Sequence, residues 1–176
     1  MTSIGVVVGN PKPKSRTLAA AMAVSDALAE NLRISPDTTV VDLADYAGLL
    51  LDFKSTAARE LATRVAAHKI LVVASPTYKA SYTGLLKAFL DWYPNNGLAG
   101  VVAIPVMTGG APLHALALEL HLSPLLVELG ALVPVRGLFL IEAQLDGLSP
   151  IVGDWARSAA PAVAAVVAAL SPNRAQ

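Results

Sequence analysis

Cysteine is absent from the 176 residues of this sequence. The absence excludes disulfide bonds, thiolate nucleophiles and every metal or iron–sulfur site with cysteine ligands. A chain without cysteine is typical of a reducing compartment, and we expect a cytoplasmic protein. The first residues carry no basic segment followed by an apolar core, so we also expect no signal peptide.

Charge is also scarce. Charged residues make up 15% of the chain, against about 25% in a typical globular protein. The 13 basic and 13 acidic residues cancel, which leaves no electrostatic footprint for a nucleic acid. The most lipid-like run, residues 159–170, is too short to span a bilayer and contains Pro161. We therefore expect no nucleic-acid partner and no membrane segment.

Short apolar runs alternate along the chain with longer amphipathic segments, which predicts strands alternating with helices. Such alternation predicts an α/β fold with a parallel sheet and helices on both faces, and five strands favour the flavodoxin-like order 2-1-3-4-5. We expect one domain over residues 1–176. The predicted strands cover residues 3–8, 38–43, 70–74, 100–107 and 132–141. The predicted helices cover residues 16–32, 55–68, 82–92, 112–129 and 150–170.

The loop between the first predicted strand and helix, NPKPKSRT, concentrates groups that bind anions. The helix start offers N–H groups and the positive end of the helix dipole. Ser15 and Thr17 add hydroxyl donors, and the side chains of Lys12, Lys14 and Arg16 add positive charge. These features indicate a phosphate cradle, and the alternative is a capped helix in a solvated loop. Neither the P-loop motif nor the G-x-G-x-x-G fingerprint is present.

Two further loops reach the same edge of the predicted sheet. The third strand ends at Pro76, which cannot donate to a sheet and forces the chain out of it. The fourth strand runs into Gly109 and Gly110, where the backbone can approach a flat ligand closely. Ligands of open α/β sheets bind at the carboxyl ends of the strands. The three loops therefore predict a crevice for a phosphate joined to a planar heterocycle.

The segment of residues 76–91, PTYKASYTGLLKAFLD, together with Thr108-Gly109-Gly110 and His114, closely resembles the NAD(P)H-dependent FMN reductases of the flavodoxin-like superfamily. These include the reductase components of two-component alkanesulfonate monooxygenase systems. The first loop resembles the family pattern G-S-P-x-x-x-S-R-[ST] more loosely. The resemblance implies FMN as the flavin, NADPH or NADH as the electron donor, and an FMN-dependent monooxygenase as the partner that receives reduced flavin.

The same resemblance implies a role for each loop: the first would hold the FMN phosphate, and the other two would line the isoalloxazine ring. Asn10 stands where the family often has serine, which leaves an amide and a backbone N–H in the cradle. Hydride passes between the cofactors, so we predict no catalytic side chain and no metal. The predicted cofactor-binding residues are Asn10, Lys12, Ser15, Arg16, Thr17, Pro76, Thr77, Tyr78, Lys79, Ala80, Thr108, Gly109, Gly110 and His114.

Several of these side chains have a second interpretation. Tyr78 could stack near the flavin or cover its own loop, and Lys79 could steer a phosphate or be solvated. His114 is the histidine best placed to touch flavin or nicotinamide. At the level of function, the alternatives to a reductase that releases flavin are an FMN-containing quinone or azo reductase and a flavodoxin-like electron carrier. Carriers of that kind are usually acidic, and this chain is neutral.

The predicted helix at residues 112–129 carries only two charged side chains, Glu119 and Glu128. A helix that is apolar all round must be buried on more than one face. We therefore predict a homodimer, paired into a homotetramer, with this helix and the helix at residues 82–92 at the interfaces, and a kink at Pro124. Some relatives in sulfonate systems have an inserted tyrosine here, and this chain has Leu120 and His121 instead.

Overall fold

The computed structural model describes residues 2–35 and 38–170, so residues 1, 36, 37 and 171–176 of the predicted domain lie outside it. One sheet of five parallel strands has the order β2-β1-β3-β4-β5. This confirms the predicted flavodoxin-like fold. The strands are β1 (Ile4–Val8), β2 (Thr38–Asp42), β3 (Ile70–Pro76), β4 (Val102–Gly109) and β5 (Leu138–Ile141).

The helices follow the strands in the predicted alternation. Helices α1 and α5 pack on one face of the sheet, and α2, α3 and α4 pack on the other. Each of the first three helices begins at a capping hydroxyl, because an Ser or Thr oxygen accepts a first-turn N–H. The helices are α1 (Arg16–Leu32), α2 (Thr56–Ala66), α3 (Gly84–Leu90), α4 (Ser123–Glu128) and α5 (Leu148–Leu170).

Strands β1, β3 and β4 form the buried centre of the sheet. Every residue of these three strands is buried, as continuous apolar runs in a doubly covered parallel sheet require. Val6 pairs with Val72, and Val72 pairs with Ile104. The register brings the carboxyl ends of the three strands together, so the loops that follow them meet at one edge.

The segment of residues 112–129 is not the single regular helix that its composition predicts. It contains a 3₁₀ turn at Pro112–Ala115, a π-helical segment at Leu118–Leu122 and then α4. Pro124 lies in the first turn of α4, directly after the π-helical segment. The segment therefore changes its helix type just before the proline.

The fifth predicted strand is wrong over its first half. Leu132 makes one isolated bridge to Val102, and the strand proper begins only at Leu138. Pro134 lies between them, and proline cannot donate to a sheet ladder. The chain consequently reaches the edge of the sheet with only four paired residues.

Helix α5 and the turn before it are apolar enough, over Glu142–Leu170, to cross a membrane by length and composition. The apolar run of residues 159–170 is only the second half of α5, which begins at Leu148. One such helix is weak support for a membrane segment, since a helix that packs on a sheet passes the same test. Val152, Ala156 and Val163 face the core, and α5 packs along α1.

Candidate functional site

A cavity of about 460 Å³ opens where β1, β3 and β4 end, within the range of small-molecule sites. It brings together eight of the predicted site residues with four others: Pro13 and Lys14 of the first loop, and Glu142 and Leu145, which lie in a part of the chain to which the sequence assigned no site. The other six predicted residues are next to the cavity but not in its wall: Thr77, Lys79, Ala80, Gly109, Gly110 and His114. The predicted residues in the wall are Asn10, Lys12, Ser15, Arg16, Thr17, Pro76, Tyr78 and Thr108.

Three buried polar side chains fix the first loop. Asn10 Nδ2 donates to Thr17 Oγ1 at 3.1 Å, and Thr17 Oγ1 shares a hydrogen bond with Thr108 Oγ1 at 2.9 Å. Asn10 Oδ1 accepts the backbone N–H of Lys12 at 2.9 Å. Asn10 thus ties the loop to itself, and Thr108 ties it to β4. These groups hold the backbone of the cradle in place before any ligand arrives.

The hydroxyl of Ser15 caps α1, accepting the N–H of Leu18 at 3.2 Å. The N–H groups of Arg16 and Thr17, in the first turn, have no partner within the helix, so they are available at the cavity wall. The backbone N–H of Lys14 donates to Asp42 Oδ2 at 2.9 Å. The capping role and the anion-binding role, which were alternatives in the sequence, are compatible here.

An acidic side chain enters the same cavity. Arg16 Nη2 lies 2.7 Å from Glu142 Oε2, and Arg16 Nη1 is 3.5 Å from the backbone oxygen of Glu142. Glu142 follows β5 directly, so its place at the carboxyl edge was the one signal in the sequence. Its carboxylate pairs with the Arg16 guanidinium, the group that the sequence predicts for binding a phosphate.

The loop after β3 forms a tight two-residue turn. The N–H of Tyr78 donates to the oxygen of Ser81 at 2.8 Å, and the N–H of Ser81 donates back to Tyr78 at 3.1 Å. The two central residues, Lys79 and Ala80, both have positive φ angles, 51° and 63°. The turn is exposed, and Tyr78 itself is 45% accessible.

Thr83 connects this turn to the first loop. Its hydroxyl donates to the backbone oxygen of Gly9 and accepts the N–H of Leu86 at 3.1 Å, which caps α3. A Cβ at Gly9 would lie 2.4 Å from the Cβ of Leu86, so only glycine allows the loop to pass this close to α3. Ser75 Oγ accepts the N–H of Thr83 at 3.0 Å.

Two polar atoms after β3 and β4 have no partner. Among the residues that the structure describes, Thr77 Oγ1 after β3 and His114 Nδ1 after β4 are buried and have no hydrogen-bond partner, and Ser123 Oγ in α4 is a third such atom. Gly109 lies against the ring of Phe139, which a Cβ would approach to 2.7 Å, whereas Gly110 has open space around it. Buried polar atoms normally have partners. Together with the cradle, these donors and acceptors fit a phosphate joined to a planar heterocycle with a polar edge, as in FMN.

Two features lie outside this site. A shallow cavity of about 890 Å³ between α4 and residues 133–136 contains none of the predicted site residues. Burial raises the pKa of the Tyr93 hydroxyl, which donates to the oxygen of Ala62 at 3.1 Å between α2 and α3.

Within residues 2–35 and 38–170, no group of histidine and acidic side chains could hold a metal ion.

Comparison with known proteins identifies relatives of the chain and of its fold. The chain is 34% identical to "FMN reductase (NADPH)" of Pseudomonas aeruginosa PAO1, over 81% of this chain and 78% of that protein. It is 43% identical to "FMN reductase (NADPH)" of Escherichia coli K12 over 43% of this chain, and the match spans only 39% of that relative's length. The apo structure of the NADH:FMN oxidoreductase EMOB superimposes with a TM-score of 0.70 at 34% identity, covering 99% of this chain and 92% of that one.

The sequence profile described as NADPH-dependent FMN reductase matches residues 2–146, most of the chain. The match and the relatives confirm the predicted family, with FMN as its flavin and NADPH or NADH as its electron donor. The chain belongs to the NADPH-dependent FMN reductase family of oxidoreductases.

Proposed function

We propose that this chain oxidises NADPH or NADH and reduces FMN, and that the reduced FMN then leaves for a partner FMN-dependent monooxygenase. The observation that carries the proposal is the meeting of the anion cradle with Pro76, Tyr78 and Thr108 in one cavity at the edge of the sheet. The unpartnered Thr77 Oγ1 and His114 Nδ1 lie in the segments that adjoin this cavity. FMN carries its negative charge at one end and its hydrogen-bonding ring at the other, so the two halves of the crevice match the two halves of the ligand.

Each half has its own binding groups. The N–H groups at the start of α1 and the side chains of Lys12 and Arg16 would hold the phosphate. Residues 76–80 and 108–110, with His114, would hold the ring and orient it. When bound, FMN supplies the ring that accepts hydride from the nicotinamide. The contribution of the chain is to position the ring and exclude water from it, for which no acid or base side chain is needed.

The place of Glu142 supports a flavin that leaves. The carboxylate neutralises Arg16 and brings negative charge to the cradle, so a phosphate must compete with it. Competition of this kind lowers the affinity for FMN. A site of moderate affinity suits a flavin that is handed to another protein, whereas a permanently bound flavin needs a tighter one.

Steady-state assays test the proposal. Purified protein is given NADPH or NADH with added FMN, and nucleotide oxidation is followed by absorbance. We expect oxidation that depends on FMN, and flavin that separates from the protein on gel filtration. Absence of both FMN binding and FMN-dependent oxidation would contradict the reductase. Flavin that stays bound, with ping-pong transfer to a quinone or azo dye, would support the quinone or azo reductase instead.

We also propose a homodimer, paired into a homotetramer, in a cytoplasmic protein. Four apolar side chains on the segment of residues 112–129 are exposed: Leu113, Leu116, Leu120 and Val127. Four exposed apolar side chains within one short segment are typical of a subunit contact. Sedimentation of wild type and of Leu116→Glu/Leu120→Glu tests this. We expect the double variant to form smaller assemblies, and a wild-type monomer would contradict the proposal.

A further inference from the structure

The turn after β3 has a backbone conformation that its sequence does not favour. A two-residue turn with positive φ at both central positions is usually built from Asn-Gly or a similar pair. Here the positions hold Lys79 and Ala80, and a Cβ disfavours the left-handed region. Strained residues of this kind persist only where surrounding contacts hold them. The contacts that hold this turn therefore matter for whatever it binds.

One such contact comes from the π-helical segment at Leu118–Leu122. His121 Nδ1 lies 2.8 Å from Ser81 Oγ. Ser81 is also the residue whose N–H and C=O make both backbone hydrogen bonds that close the turn with Tyr78. A group that fixes Ser81 consequently fixes the closed form of the whole turn.

The π-helical segment is a firm base for this contact. Leu118 and Leu122 are buried in the core between α3, α4 and the sheet, while His121 is on the exposed side. A π-helical turn accommodates one residue more than an α-helical turn and redirects the side chains around it, often at functional sites. In this chain the redirected side chain contacts the turn after β3.

We propose that His121 is a positioning residue that holds the strained turn of residues 78–81 in the conformation that receives the flavin ring. The inference rests on the proposed function, in which this turn lines the ring. His121 is not one of the residues that line the cavity. Its effect passes through Ser81 to the backbone of the turn.

The consequence is specific to the ring half of the ligand. Without the histidine, the turn spends more time open, and each flavin must close it on binding. The affinity for FMN and the affinity for riboflavin should fall by the same factor, because the two flavins share the ring. The factor should be about three- to tenfold, which corresponds to the loss of one neutral hydrogen bond. A disturbance of the phosphate cradle would instead affect FMN alone.

The test compares His121→Ala, His121→Asn, Ser81→Ala and the His121→Ala/Ser81→Ala double variant. Fluorescence quenching gives the dissociation constants of FMN and riboflavin. Hydrogen exchange of the Tyr78 and Ser81 amides is measured in flavin-free protein, which needs no bound ligand. We expect the alanine variants to weaken both flavins by the same factor and to speed exchange at both amides. Asparagine places an amide near the position of Nδ1 and should restore both values.

A second background separates positioning from general damage. Ala80→Gly relieves the strain, because glycine adopts positive φ freely, so His121→Ala should cost less affinity in that background than in wild type. Sedimentation shows whether each variant keeps the wild-type assembly.

Three results would overturn the inference: unchanged affinity and exchange in both alanine variants, a loss confined to FMN, or an additive double variant. Failure of the proposed function has a different signature, since wild-type protein would then bind neither flavin while the exchange rates would still report on the turn.

Discussion

Two of the three loops at the crevice, those after β1 and β3, are held in opposite ways. The cradle is fixed by buried side chains that bond to one another: Asn10, Thr17 and Thr108 are each at most 8% exposed. The turn after β3 has unfavourable backbone angles at Lys79 and Ala80 and is held from outside by His121. The comparison teaches that the end of the crevice proposed for the phosphate is fixed by buried contacts, whereas the turn proposed for the ring depends on an exposed one.

The largest effect is expected at Thr83, because it serves both loops. Thr83→Val removes the hydroxyl that caps α3 and bonds to Gly9, so two buried backbone groups lose their partner. We expect the free energy of unfolding to fall by about 2–4 kcal/mol, since each orphaned group costs about 1–3 kcal/mol. Urea denaturation measures it. Thr63→Val, on the exposed side of α2, is the matched control, and an equal loss there would contradict the role of Thr83.

Arg16→Ala should separate the two ends of the ligand. Removal of the guanidinium should weaken FMN by at most about one to two decades, as expected for one charge-assisted hydrogen bond of about 1.5–3 kcal/mol. Riboflavin has no phosphate and should bind as before. Fluorescence titration with both flavins gives the ratio. Arg64→Ala in α2 controls for charge, and equal losses for the two flavins would indicate a misfolded loop.

Removing the charge of Glu142 should raise the affinity for FMN, by less than Arg16→Ala lowers it. Glu142→Gln keeps the shape of the side chain but removes the charge that pairs with Arg16. Exposed ion pairs are worth about 0.2–1 kcal/mol, so FMN should bind up to about fivefold more tightly, with riboflavin unchanged. Glu60→Gln, on α2, is the control. Weaker FMN binding would mean that Glu142 orients Arg16 for the phosphate rather than competing with it.

The smallest effect concerns the strain of the turn. Ala80→Gly should raise the free energy of unfolding by up to about 1 kcal/mol, because glycine accepts the positive φ of 63° that alanine resists. The same substitution at Ala165, on the exposed side of α5, should lower it by about 0.5–1 kcal/mol. Urea denaturation of both variants shows the signs, and a loss at both positions would show that the turn is unstrained.

The central sheet and the start of α1 could be predicted because their signals are local. A buried strand is indicated by consecutive apolar residues, and the start of α1 by Ser15 directly before the helix. The late start of β5 is consistent with Pro134, which cannot donate to a sheet. The proline is visible in the sequence, but the apolar residues around it predict a longer strand. The change of helix type at Leu118–Leu122 could not be predicted, since an apolar run is compatible with α- and π-helical turns.

The candidate site was predictable to the same extent. The edge of the sheet and the three loops follow from the strand order, and so does the place of Lys12 and Arg16. The pairing of Arg16 with Glu142 joins residues far apart in the chain, and no local pattern encodes it. The positive φ angles at Lys79 and Ala80 were equally hidden, because neither residue type is typical of a left-handed turn.

The hydrogen bond from the Thr83 N–H to Ser75 Oγ closes the loop at its base. Within this loop, residues 78–80 are exposed, whereas Pro76 is paired with Thr108 in the sheet and Tyr82 packs against the core. Substitutions at residues 78–80 can therefore alter the proposed ring end with little cost to the core. In evolution or protein engineering, this exposed turn can therefore vary while the fold that carries it stays the same.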